Sequence, residues 1–155
     1  MEGGMKDLAL LLVHWTHLAA TVVWIGGIAF ILLVAMPSCR HILGSEAGRV
    51  TGELARRFTP LANWSILLLV VTGVILTGTG DRDAVRSVML LAKHALVCAM
   101  IAVHFYRGLR LAPRIARSVS DAERSALQRL SLNLVKLNLG AGLAVLLLSA
   151  HYQAG

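Results

Sequence analysis

The sequence predicts an all-α integral membrane protein, a four-helix bundle with its N- and C-termini on the periplasmic, outer side. Three observations predict it. The 155 residues are 57% hydrophobic and 15% charged, at a mean hydropathy of +0.72, far less charge than a soluble domain of this size carries. Runs free of charge, or broken by one lysine, recur at spanning length: Leu8 to Ser38, Thr59 to Gly80, Ser87 to Tyr106 around Lys93, and Leu130 to Tyr152 around Lys136. Each exceeds or approaches the roughly 20 residues that cross a hydrocarbon core of about 30 Å. The arginines, finally, gather between the first two runs (Arg40, Arg49, Arg56, Arg57) and between the last two (Arg107, Arg110, Arg114, Arg117, Arg124, Arg129). The positive-inside rule puts both of these segments in the cytoplasm and both termini outside.

Taken in order, the expected spans are about 8–36, 58–79, 87–111 and 130–152, with Arg-rich cytoplasmic segments 37–57 and 107–129, in one transmembrane domain over 1–155. The first run is too long for a signal-peptide core and carries histidines inside it, so it is read as helix one. Pro60 fits the first turn of helix two, where a missing N–H costs little. Helix three extends to about Leu111 and breaks at Pro113, and "SDAE" restarts the chain with Ser120 as N-cap and Glu123 reaching back. The loop "TGTGDRDAVRS" is short, which makes helices two and three antiparallel neighbours. Each half reads as helix, Arg-rich segment, helix, a weak internal two-fold resemblance.

The net charge of +7 flanks the spans, so its partners are the anionic head groups of membrane lipids and not nucleic acid. Lys6, Arg82 and Arg86 on the outer side are diluted by Glu2, Asp7, Asp81 and Asp83. Cys39 and Cys98 fall at different depths and form no disulfide framework.

The residues that do not belong in lipid carry the functional signal. His17 lies about nine residues into helix one, roughly 13 Å at 1.5 Å per residue, and His94 about seven residues into helix three, roughly 10 Å. His14 is one turn shallower. His14, His17, Thr21, Trp24 and Ile28 fall on one stripe of helix one, polar at its outer end, and this stripe is expected to face the bundle interior. On helix three, Lys93 and His94 lie on stripes about 100° apart, so either can be the residue that faces helix one. Two imidazoles facing each other at one depth are how membrane cytochromes hold haem b. His17 and His94 are the expected axial ligands, with His14 and Lys93 as first substitutes and Trp24 beside them. Arg82 and Arg86 at the outer rim are placed to neutralise propionates. Gly26, Gly27 and Gly73 either let helices approach or leave room for a flat ring. Copper is the alternative ligand of the same histidines, with Met5, Met89, Met100 and Cys98 as softer donors. Asn63, Asn133, Lys136 and Asn138 form a second polar group toward the cytoplasmic side, where interhelical hydrogen bonding is the default.

"HLAATVVWIGGIAF" in helix one resembles the first helix of the CopD copper-resistance membrane domain. "RRFTPLANWSILLLVVTGVILT", the lysine of "LLAKHALV" and "LSLNLVKLNLGAGLAVLLLSA" extend the resemblance over most of the chain. CopD proteins are associated with copper uptake across the inner membrane. The related HemJ proteins are haem-containing protoporphyrinogen oxidases, and that resemblance implies His17 as a haem ligand, Lys93 as the helix-three lysine and His104 as the later histidine of that helix. The function expected from residues and resemblance together is a multi-pass inner-membrane haem b protein in electron transfer, working with a redox partner protein or quinone. An electron-transfer subunit is favoured over a stand-alone enzyme because the loops leave no room for a catalytic domain. A CopD-type copper transporter is the alternative; a HemJ-like oxidase and a cofactor-free assembly subunit follow it.

Overall fold

The computed structural model describes residues 2–79 and 84–154, and every described element is helical. The chain divides into two compact units, Met1–Asp81 and Arg82–Gly155, and each is a helical hairpin. Three helical runs are long and apolar enough to cross a membrane: Gly4–Thr79, Val88–Arg117 and Asp121–His151. The first of them doubles back on itself.

In the first hairpin, helix α1 covers residues 2–43 and α2 covers Ala47–Thr79. They are joined by the tight turn Gly44–Glu46, where Gly44 takes φ +52°, a conformation that a Cβ would disfavour. The arms pack through one large side chain, Trp24, among small and medium ones: Ala20, Trp24, Ile25, Ile28 and Ala35 from α1, and Ala62, Ser65, Ile66 and Thr72 from α2 are buried. The α2 positions 62, 65, 66 and 72 fall on one face of a helix at 100° per residue. Leu11 (63% exposed) and Val74 (67%) point away from that seam. An outer surface this apolar suits lipid, because hydrocarbon tails solvate it as well as another leucine would.

Helix α1 is not uniform. It contains two π-helical turns, Val22–Gly26 and Ile31–Ala35, and the second is closed by the Met36 N–H donating to Ile31 O. Pro37 follows at once. Proline has no N–H for the ladder, and a widened turn in front of it absorbs the register change without ending the helix.

The second hairpin has α3 over residues 84–117 and α4 over Asp121–Ala154. It repeats the device: the π-helical turn Arg107–Leu111 is closed by the Ala112 N–H donating to Arg107 O, and Pro113 follows. Pro113 therefore does not break helix three, as the sequence led us to expect; the helix runs on to Arg117. Ser118 then turns extended, with its hydroxyl donating to Ile115 O at 2.8 Å. The Arg124 guanidinium donates to Ser118 O at 2.9 Å, and the Arg124 backbone N–H donates to Ser120 O. Ser120 thus stands just ahead of α4.

Pro60 also departs from expectation, lying inside α2 and not in its first turn. The Arg-rich segment ahead of it is itself helical, because Glu53 accepts from both Arg56 and Arg57 at 2.7 to 2.8 Å and Glu46 accepts from Arg49 at 2.7 Å. Pairs at these spacings carry the helix through residues that no apolar face would hold.

The matched prolines set a common register for the two hairpins. Aligning Pro37 with Pro113 pairs Ala35 with Leu111 and Trp24 with Met100, and all four are buried. The same register pairs Ala62 with Asn138 and Ile66 with Gly142, again all buried. His17 and Lys93 are equivalent positions in this alignment of the two hairpins. The internal two-fold resemblance is therefore a repeat of one hairpin plan, legible in burial and backbone geometry more than in residue identity.

Candidate functional site

Polar side chains of the first hairpin gather around His17, away from the turn that joins its arms. This residue lies on the first arm of α1, part-buried, and its Nδ1 is 2.7 Å from Oγ1 of Thr72 on α2. The Thr72 hydroxyl is in turn 2.6 Å from Leu68 O, one turn back on its own helix. Thr72 is only 5% exposed. Beside it Gly73 presents bare backbone to the imidazole, and a Cβ there would meet His17 Cε1 at 3.7 Å, ordinary van der Waals contact. Thr21, one turn below, donates its hydroxyl to His17 O at 2.8 Å. A histidine in an apolar helix is thus held from its backbone and from its ring.

The other histidines are arranged differently. His14 is exposed, and its Nδ1–H donates to Leu10 O at 3.0 Å. His94 is exposed, and its Nδ1–H donates to Leu90 O at 2.6 Å. Each of these bonds stays within its own helix, whereas the His17 bond crosses to the second arm. Lys93 is half-buried on α3. Arg82 lies outside the described residues; Arg86 falls on α3, and its side chain is likewise outside the description.

Trp24 is 1% exposed on a π-helical turn, the largest buried side chain of the first hairpin. The glycines separate cleanly. A Cβ on Gly27 would overlap the Phe58 ring of α2, while nothing lies within 4 Å of a Cβ on Gly26. Gly27 is therefore a site of close helix approach, already filled by Phe58, and leaves no room there for a macrocycle.

The second polar group separates as well. Asn138, 4% exposed, donates from Nδ2 to Met100 O across the α3–α4 seam at 3.2 Å, the interhelical bond expected of it. Asn63, Asn133 and Lys136 are exposed. Near the turn, Arg107 donates from Nε to Ser131 Oγ at 3.2 Å and ties the same two helices.

Among the described residues, no three His, Cys, Asp or Glu side chains come together as a metal-binding group. Cys39 is part-buried and Cys98 exposed, both as free thiols. The donor set is therefore sparse, built on imidazole and not on a chelating cluster. Sequence reading missed Thr72. Its one available signal was a lone hydroxyl next to glycine in the otherwise apolar "LLLVVTGVIL".

Fold and site together define an integral membrane protein of helical hairpins, with a histidine hydrogen-bonded across one hairpin seam. The chain belongs to the CopD family, copper resistance protein D, whose sequence profile matches residues 52–151. The match takes in Thr72, Lys93, His94 and Asn138, while α1 with His17 precedes it. No match was found among curated proteins or among solved structures. Membership favours the copper alternative over haem b and electron transfer, which neither the family nor the geometry within either hairpin supports.

Proposed function

We propose that this protein is a multi-pass inner-membrane protein that handles copper, with His17 as the principal donor to the ion in the outer half of the membrane. The observation that carries the reading is membership of the copper resistance protein D family. The local chemistry supports it. Imidazole nitrogen is a good copper ligand, and a site of few donors can release its cargo as well as bind it, which transport requires.

His14 lies three residues before His17, the spacing that stacks two side chains on one helix face. With its Nδ1–H given to Leu10 O, its Nε2 carries the lone pair and is the natural second donor. His94 and Lys93, on α3, are candidate donors of the second hairpin considered by itself. Four membrane crossings, with the Arg-rich turns in the cytoplasm and the histidines toward the outside, follow from the charge distribution.

The test is Cu(I) binding by purified protein in detergent, read by competition with a chromophoric Cu(I) chelator, together with the copper content of cells expressing the chain. His17→Ala is expected to weaken binding at least tenfold and to abolish the change in cellular copper. Wild-type protein that binds no copper, or a His17→Ala variant equal to wild type in both assays, overturns the reading.

A further inference from the structure

The bonds around Thr72 decide more than where the His17 ring sits. A threonine hydroxyl has one proton. Thr72 Oγ1 is 2.6 Å from Leu68 O, and a backbone carbonyl can only accept, so the hydroxyl proton goes there. The second contact of the same oxygen, 2.7 Å to His17 Nδ1, must then be one that Thr72 accepts. Nδ1 consequently carries the imidazole proton, and in the neutral ring the lone pair belongs to Nε2.

We propose that Thr72 is a positioning residue, which holds His17 in its Nδ1–H tautomer and so presents Nε2 as the nitrogen that receives copper. This rests on the copper reading above. The surroundings fit the role. Thr72 is buried, so no water competes for the imidazole proton at that oxygen. Gly73 gives the ring a flat seat at van der Waals distance, so the imidazole is supported on its side as well as tethered at Nδ1. The relay ends in a helix carbonyl, which cannot reverse direction, so the tautomer is fixed by backbone and not by a second titratable group. His14 and His94 donate Nδ1–H to carbonyls of their own helices; the His17 tautomer is set from the opposite arm, so there the packing of the hairpin controls the ligand. Partners that orient a metal-binding histidine in this way contribute roughly 10- to 100-fold in metal affinity.

The experiment combines two readouts on the full-length protein. The first is 15N NMR of histidine-labelled, metal-free protein, with the His17 signals assigned by difference against His17→Gln. The second is Cu(I) affinity of wild type, Thr72→Val, Thr72→Ser and His17→Gln by chelator competition. The expected result is a protonated Nδ1 in wild type, a mixed tautomer and about 10- to 100-fold weaker copper binding in Thr72→Val, and recovery of both in Thr72→Ser. A general loss of packing would not be reversed by serine or register in the tautomer. Protonation at Nε2 in wild type overturns the inference. So does a Thr72→Val variant that binds copper like wild type while His17→Gln does not, and that outcome leaves the copper reading intact. Unchanged binding in His17→Gln overturns the copper reading itself, and the role of Thr72 in ligation with it.

Discussion

Phe58 of α2 lays its ring against the bare backbone of Gly27 on α1, where a Cβ would overlap it. A methyl group at Gly27 would have to displace that ring. Gly27→Ala is therefore expected to destabilise the protein by about 1 to 3 kcal/mol, the usual cost of overpacking. Gly26→Ala, with open space around its Cβ, should stay within about 0.5 kcal/mol of wild type. Unfolding in mixed micelles by added SDS measures both. Equal effects at the two glycines would show that Phe58 does not set the approach.

Asn138 holds the seam of the second hairpin through one bond to Met100 O. Interhelical hydrogen bonds in membrane proteins are worth about 0.6 kcal/mol on average and up to about 1.7. Asn138→Leu is expected to lose an amount in that range in the same unfolding assay. A gain in stability would mean that the bond only compensates for burying the amide.

Glu53 is held to a pKa of about 2. The bidentate Arg56 guanidinium is the main cause, and the Arg57 bond to the same carboxylate is the next. The folded value lies below the ordinary one. The contribution of the carboxylate to helix stability is thus fully present above the ordinary Glu range and is lost as pH falls toward about 2. Both side chains are exposed, so salt screens the effect. NMR titration of the Glu53 carboxyl should give a midpoint near 2, rising toward the ordinary range in Arg56→Gln. An ordinary midpoint in wild type would contradict the bidentate pair.

The copper reading predicts a colourless protein. Purified from haem-replete cells, it should show no Soret band and no reduced α band, while binding Cu(I) through His17. A dithionite-reduced spectrum with a sharp b-type α band that disappears in His17→Ala would return the site to haem.

The sequence by itself determined the class of protein. Apolar runs of spanning length leave the backbone no way to satisfy its polar groups except as helices. It also picked out His17, because an imidazole at that depth is costly enough to need a reason. Only the tertiary structure decided which groups supply that reason. Thr72 reads in sequence as one hydroxyl among leucines and valines, and it acquires its role when α2 folds back at Gly44 and brings Oγ1 to the imidazole. The same folding distinguished Gly27, under a ring, from its neighbour Gly26. The prolines show the limit from the other side. Pro113 reads as a helix break and Pro60 as a helix start, since proline lacks a donor. Whether a helix can continue past that missing bond depends on the turn in front of it and on the pairs that flank it, and these exist only once the chain has folded.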